Sequence, residues 1–192
     1  MHNTDALRVD AHLWNVGVTA LQREWASLPI EEKNWIRKRL EAIEILQQRL
    51  HQLFLNGNGV AHCRRCAGEC CARGKYHVTL VNLLFFVTRD RTPPSPDFSS
   101  TCPMLAPEGC RLAPGERPFN CVTFVCDPVE ETMGPAACTT FYATERTLRR
   151  LYDEFEQRYA GAGMRGFLLA QARVGDDSPL RRLDIHPAAA GI

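Results

Sequence analysis

Cysteine is the residue type in this chain whose number and spacing indicate chemistry. The chain has 192 residues and nine cysteines. Eight of the nine lie within one stretch of 64 residues, where an even distribution would place about three. Clustered cysteines of this kind serve either as disulfides or as metal ligands. The eight are Cys63, Cys66, Cys70, Cys71, Cys102, Cys110, Cys121 and Cys126.

The redox compartment helps to separate these two uses. The first residues show no cationic start followed by an apolar run, so we expect no secretory signal. The longest apolar-rich stretch, residues 78–87, is about half the length of a membrane span. We therefore expect a cytoplasmic protein without a membrane span, in which thiols stay reduced and clustered cysteines favour metal. The alternative is a secreted disulfide protein whose signal has been removed.

The cysteines fall into three separate segments. Two cysteines separated by two residues can turn both sulfurs onto one ion, and the short loop between them directs backbone N–H groups at the thiolates. The segments read Cys63-x2-Cys66-x3-Cys70-Cys71, then Cys102-Pro-x-Leu-x3-Gly-Cys110, then Arg117-Pro-x2-Cys121-x2-Phe-x-Cys126.

Sulfur ligands narrow the choice of metal. Thiolates suit zinc and iron–sulfur clusters and exclude hard cations such as Mg²⁺. Two zinc ions with four thiolates each would use all eight cysteines in closed structural sites, whereas one [4Fe–4S] cluster would need only four. The usual radical-SAM spacing is absent, because Arg73 stands where its third cysteine would be. Zinc and an iron–sulfur cluster both stay open as cofactors.

These three motifs, in this order, resemble the cysteine-cluster family known as the CxxCxxCC or YkgJ-type family, described as zinc- or iron-chelating. Flagellin lysine N-methylases carry a related cysteine cluster. The resemblance covers residues 60–127, about a third of the chain, and departs from the family name in having three residues between Cys66 and Cys70. It implies that the eight cysteines bind metal, and it implies no particular reaction.

Helices are predicted on the N-terminal side of the motifs. Apolar spacing predicts helices over residues 10–26 and 28–55, with Ser27 as the cap of the second and residues 56–59 as its end. The apolar stripe of the second helix either packs in the core or forms the seam of a homodimer. We favour the core, because fewer than four heptads carry the pattern. The stripe consists of Ile36, Leu40, Ile43, Leu46, Leu50 and Leu53.

Shorter helices are predicted within and after the motifs. We expect a helix over 80–89 capped by Thr79, a loop over 91–100, helices over 140–159 and 164–173, and a loose tail after residue 175. Cys138 lies outside the motifs and is expected to be a small buried residue just before the helix over 140–159.

Taken together, the patterns predict a mainly α protein with one structural domain. N-terminal helices over 1–60 and C-terminal helices and a tail over 131–192 are expected to enclose a compact cysteine-rich metal-binding centre, residues 61–130, with little regular structure. His62 and His77 flank the first motif and are either further ligands or partly exposed histidines. No phosphate-binding loop, HExxH motif or nucleophile elbow is present, so no catalytic residue is predicted.

Three functions are compatible with this arrangement. The first is a metal-binding protein of unassigned activity. The second is an iron–sulfur-dependent redox or protein-modifying enzyme, for example a methylase-like one. The third is a zinc-stabilised protein-interaction module, with a protein partner or a second copy of the chain bound through the 28–55 helix. A net charge of +1 gives no support to nucleic-acid binding.

Overall fold

A computed structural model describes residues 2–174 and 178–183 of the chain. This part is mainly helical and contains one small sheet, which confirms that the fold is mainly α. No helix in the described ranges is both long and apolar enough to cross a membrane. The helices are α1 His2–Ser27, α2 Ile30–Asn56, α3 Gly59–Arg65, α4 Leu80–Val87, α5 Phe119–Thr123, α6 Asp127–Met133, α7 Pro135–Arg158 and α8 Phe167–Val174. Strands β1 Leu105–Ala106 and β2 Gly109–Cys110 form an antiparallel hairpin, and short 3₁₀ turns span Cys71–Arg73 and Pro114–Glu116.

Helix α2 is the central helix of the hydrophobic core. Its apolar stripe faces inward, where Ile36, Ile43 and Leu50 are fully buried, and its most extensive packing is against α7. Burying a side chain of this size stabilises the fold by about 1.5–3 kcal/mol. The stripe is therefore the core face of the helix, as favoured from the sequence, and it is not an open dimer seam.

Helix α4 is the most completely buried helix, although it comes from the cysteine-rich third of the chain. All eight of its residues are buried, because apolar side chains point in every direction around its axis. The predicted cap is confirmed: Thr79 donates from its backbone N–H and its hydroxyl to Asn82 Oδ1, both at 2.8 Å. Helices α1 and α2 pack on α4.

The burial of α4 corrects one expectation from the sequence. The terminal helices were expected to enclose the whole cysteine-rich centre. Instead, α1 and α2 pack on α4, and the cysteine segments lie at the surface, with four of the eight clustered cysteines exposed. An apolar helix has more to gain from burial than loops rich in glycine and polar backbone do.

Several helix boundaries also differ from the prediction. Helix α1 starts at His2 and not at residue 10, and α8 starts at Phe167 and not at residue 164. Ser27 does not cap α2; it belongs to α1, where its hydroxyl donates to the carbonyl of Glu24 at 3.0 Å, and Pro29 occupies the capping position of α2. Helix α7 begins at Pro135, so Cys138 lies inside its first turn and not before the helix. Proline is well suited to that first helical position because its φ angle is already helical.

The tail after residue 175 was expected to be loose. Residues 175–177 and 184–192 lie outside the described residues, but residues 178–183 pack against the helices. Leu180 is buried, and its backbone N–H and the Ser178 hydroxyl both donate to the carboxylate of Glu24, at 2.8 and 2.5 Å. The prediction is wrong for this segment, because a carboxylate on a distant helix supplies the hydrogen bonds that tie it down.

Candidate metal centre

The first cysteine motif is folded back on itself by a sharp reversal. Helix α3 carries Cys63 and ends just before Cys66. Ala67 and Gly68 then take left-handed backbone angles, with φ of 52° and 70°, and the Gly68 N–H donates to the Cys63 carbonyl at 3.1 Å. The reversal sends the following residues, Cys70 among them, back past the helix they came from.

The second motif is a small β-hairpin. Leu105 on β1 pairs with Cys110 on β2, and the Leu105 N–H donates to the Cys102 carbonyl at 3.1 Å. Both cysteines therefore lie at the same end of the hairpin. Met104 and Leu112 are buried and anchor the hairpin to the core.

The third motif enters the site through a backbone segment that two buried amides hold. The Gln47 side chain on α2 donates to the Arg117 carbonyl at 2.6 Å, and the Asn82 side chain on α4 donates to the Glu116 carbonyl at 3.0 Å. These bonds set the direction in which the chain starts α5, which carries Cys121.

Four cysteines form what we call the first thiol group. Burial raises the pKa of the Cys63 thiol, and the nearby charges of Cys70, Cys66 and Cys126 raise it further. Cys126 belongs to the third motif, and it reaches the first motif because α6, which starts directly after it, packs on α3. The group therefore joins residues more than 50 positions apart in the sequence.

Cys121, Cys110, Cys102 and Cys71 form what we call the second thiol group. Desolvation by the surrounding protein, followed by the charges of Cys110, Cys102 and Cys71, raises the pKa of Cys121 to about 12. Part of Cys121 nevertheless reaches solvent.

Cys71 links the two thiol groups. Burial raises the pKa of Cys71 to about 11, with further contributions from the charge and hydrogen bond of Cys70 and from the charges of Cys63 and Cys110. Cys63 belongs to the first group and Cys110 to the second. The two groups are therefore neighbours that meet at the Cys70–Cys71 pair.

One cation lies next to both groups. The positive charge of Arg117 lowers the pKa of Cys63 and that of Cys121, partly opposing the effects of burial. Its guanidinium Nε donates to the Leu112 carbonyl at 3.2 Å, and no carboxylate of the described residues forms an ion pair with it. Its charge therefore remains available to balance that of the thiolates.

The two flanking histidines have different surroundings. His77 Nδ1 lies 3.4 Å from the Cys121 sulfur, and burial lowers the pKa of its imidazole. The His62 ring already has partners, since Nε2 is 3.0 Å from the Thr132 hydroxyl and Nδ1 is 2.6 Å from Arg65. The structure thus brings His77, and not His62, to a thiol group.

Cys138 stands apart from both thiol groups. Its thiol is half-buried and donates to the backbone carbonyl of Glu130 at 3.4 Å. The sequence predicted a small buried residue before the helix; the side chain is only half-buried, and the residue lies inside α7.

A glycine makes room for the second group. A Cβ atom placed on Gly74 would lie 3.0 Å from the Cys102 sulfur and 3.5 Å from the Cys102 Cβ. Few real Cβ atoms come so near another heavy atom, so a larger residue at position 74 would displace Cys102.

The cysteines of each thiol group influence one another, but they are not yet arranged as a finished metal site. All nine cysteines carry free thiols, and among residues 2–174 and 178–183 no three cysteine, histidine or carboxylate side chains are already arranged tightly enough to hold an ion. The chemistry of the donors nevertheless fits zinc or iron–sulfur, since soft sulfur atoms from three segments share one region. Cys66, Cys70, Cys71 and Cys121 are exposed, while Cys63, Cys102, Cys110 and Cys126 are half-buried.

Sequence reasoning missed the buried amides that support the third motif. Gln47 lies four residues after Ile43 and three before Leu50, so it occupies a position of the apolar stripe. A polar residue at such a position is the available signal, because a buried amide needs a hydrogen-bond partner. Asn82 gives the same signal, because it is the polar residue within the otherwise apolar sequence of α4.

A separate cleft lies away from the thiol groups. It has a volume of about 420 Å³ between α1 and the loop over residues 92–98. Trp14 and Val18 line one side, Pro93 and Phe98 the other, and no cysteine borders it.

Comparison with known proteins returned no relatives. No protein-family model matches the chain, and no curated protein or solved structure matches it either. The resemblance carried by the cysteine motifs therefore stays a prediction.

Proposed function

We propose that this protein binds metal through its eight clustered cysteines, holding zinc or an iron–sulfur cluster in a reducing compartment such as the cytoplasm. The observation that carries the proposal is that direct contacts join the three cysteine segments. Helix α6, which follows Cys126, packs on α3, which carries Cys63. The backbone after the first motif reaches the second, where a Cβ added to Gly74 would lie 3.0 Å from the Cys102 sulfur. His77 lies 3.4 Å from the Cys121 sulfur. Each of the two thiol groups contains four cysteines. Four thiolates are what one tetrahedral zinc ion or one [4Fe–4S] cluster requires.

The charges of the two groups favour a bound cation. Within each group, ionising one thiol makes the next thiol harder to ionise, because like charges at short range repel. A metal ion reverses this effect, since coordinating thiols lose their protons to it outright. The half-buried Arg117 then balances part of the remaining negative charge.

The open arrangement of the sulfurs is compatible with binding coupled to folding. The motifs lie on short turns, and four of the clustered side chains are exposed to solvent. Metal ions commonly complete such sites, because the binding free energy orders loops that have little apolar surface to bury.

The test is to purify the full chain without oxygen and to measure its metal content and visible spectrum. A colourless protein with two zinc ions, or a brown protein with iron and sulfide in cluster proportions, would support the proposal. Cys63→Ser and Cys121→Ser, one from each group, should each lose about half of the bound metal. The matched control Cys138→Ser should keep all of it. Metal-free protein, or full metal in both variants, would contradict the proposal.

A second candidate is the iron–sulfur-dependent redox or protein-modifying enzyme. The exposure of Cys66, Cys70, Cys71 and Cys121 favours it, since reacting molecules or electron donors can approach the sulfurs directly. This candidate requires the brown form of the protein and a spectrum that changes on reduction. The colourless zinc form would exclude it.

A further inference from the structure

We propose that His77 is a metal ligand and completes the second site together with Cys102, Cys110 and Cys121. The inference rests on the proposed function and revises its second site: His77 takes the fourth position in place of Cys71, so that one site is all-sulfur and the other is a mixed sulfur–nitrogen site. It starts from a single contact, in which His77 Nδ1 lies 3.4 Å from the Cys121 sulfur.

The contact distance fits two ligands of one ion. Zinc–sulfur bonds are about 2.3 Å and zinc–nitrogen bonds about 2.0–2.1 Å, which places two ligands of a tetrahedral ion about 3.6 Å apart. The observed 3.4 Å is close to that value. Imidazole and thiolate are also the commonest partners in mixed structural zinc sites.

One short turn positions His77 and Cys102 relative to each other. The His77 N–H donates to the Gly74 carbonyl at 3.1 Å, which closes a turn over residues 74–77. Gly74, at the other end of that turn, lies beside the Cys102 side chain. A Cβ atom added to Gly74 would be 3.0 Å from the Cys102 sulfur. The turn therefore touches two cysteines of the second group, Cys102 through Gly74 and Cys121 through His77.

The number of available donors decides which cysteines share a metal site with His77. With His77 the second group has five donors, and a tetrahedral ion has four positions. Cys71 is the cysteine whose pKa is raised by the charge of a member of each group, Cys63 of the first and Cys110 of the second. We therefore assign Cys102, Cys110 and Cys121 to the second site together with His77. Cys71 lies between the two sites and is not a ligand of the second.

The other flanking histidine provides a matched control. His62 is also half-buried and also next to the first motif, but both of its ring nitrogens already have contacts, to Thr132 and Arg65. A general effect of removing a histidine near the cysteines would show equally at both positions.

The experiment uses the full chain loaded with ¹¹³Cd²⁺ and examined by cadmium NMR and by proton–cadmium correlation. We expect two groups of cadmium signals, one in the all-thiolate range and one upfield of it, and a correlation between the second signal and the ring protons of a histidine. His77→Gln should abolish that correlation and weaken cadmium binding at the second site at least about tenfold. His62→Gln should change neither signal.

Two further results keep the test decisive. His77→Cys supplies sulfur in place of nitrogen, so it should restore binding and move the second signal into the all-thiolate range. Cadmium signals that are all in the all-thiolate range and show no histidine correlation would overturn the assignment of His77 while leaving metal binding by the cysteines intact. Failure of the chain to bind cadmium at all would instead overturn the proposed function.

Discussion

Arg158 on α7 donates two hydrogen bonds to the carboxylate of Glu32 on α2, at 2.8 and 2.6 Å, across 126 positions of sequence. The Tyr159 hydroxyl donates to the same carboxylate. Glu32 is only 8% exposed, and the Arg158 guanidinium is stacked 4.3 Å from the centre of the Trp35 ring. This cluster joins the start of α2 to the end of α7, the helix on which α2 packs most extensively.

Replacing Glu32 should therefore destabilise the fold without touching the metal. Glu32→Gln keeps the size of the side chain but removes the charge that accepts from Arg158, and charge-assisted hydrogen bonds contribute about 1.5–3 kcal/mol each. We expect the free energy of unfolding to fall by about 2 kcal/mol, measured by urea denaturation. Glu41→Gln, exposed on the same helix, is the control and should change stability by less than about 0.5 kcal/mol. Equal effects of the two variants would refute this role of Glu32.

The same cluster predicts a dependence of stability on pH. Hydrogen bonding to Arg158 holds the pKa of Glu32 below its ordinary value of 4.5, although burial partly opposes the shift. A lowered pKa in the folded state means that the stabilisation is fully present above pH 4.5 and is lost as the pH falls through the folded-state pKa. The stability difference between wild type and Glu32→Gln should therefore be constant from pH 7 to 5 and shrink below that. If the stability difference between wild type and Glu32→Gln instead grew as the pH fell, the predicted direction of the pH dependence would be wrong.

Gly74→Ala should disturb the second thiol group selectively. The added Cβ would lie 3.0 Å from the Cys102 sulfur, so the cysteine must move away from its neighbours. We expect metal affinity at one site to fall about tenfold, comparable to disturbing groups around other metal ligands. Competition with a coloured chelator measures the effect. Gly163→Ala is the matched control, because the nearest atom to its added Cβ is a glutamate oxygen at 3.8 Å, and its affinity should equal that of wild type.

Removing the metal should loosen the cysteine segments and spare α4. Residues 61–78 and 101–126 have few buried apolar side chains, whereas every residue of α4 is buried. Hydrogen exchange followed by mass spectrometry should show faster exchange in those two segments after chelation, with α4 still protected. Uniform deprotection of residues 61–130 would mean that the central third depends on metal as one unit. Unchanged exchange everywhere would contradict metal binding by these segments.

Asn82→Ala should weaken both the cap of α4 and the support of the third motif. Asn82 accepts two hydrogen bonds from Thr79 and donates one to the Glu116 carbonyl, all in a buried setting. Leaving these groups unpaired costs about 1–3 kcal/mol, so we expect a fall in unfolding free energy of about 2–3 kcal/mol. Asn34→Ala, exposed on α2, provides the control. A loss of metal from Asn82→Ala would show in addition that the Glu116–Arg117 segment positions Cys121.

The long helices were predictable because each carries an apolar stripe long enough to reveal its period. The stripe from Ile36 to Leu50 and the Thr79 cap of α4 both occur where the sequence places them. The short helices α3, α5 and α6 were not foreseen, since five to seven residues are too few to display a helical period. The packing of residues 178–183 was missed because it depends on Glu24, more than 150 positions away.

The sequence by itself determined the residues on which the proposed metal binding rests: eight cysteines in three motifs, with Cys138 apart. Side-chain chemistry is a property of composition and spacing and needs no fold to be recognised. Only the tertiary structure decided how the cysteines are grouped, that Cys126 joins the first motif, and that His77 and not His62 faces a thiol. Those relationships depend on how α4 is buried and how loops turn around it, and short-range sequence patterns do not encode distances between segments that lie far apart along the chain.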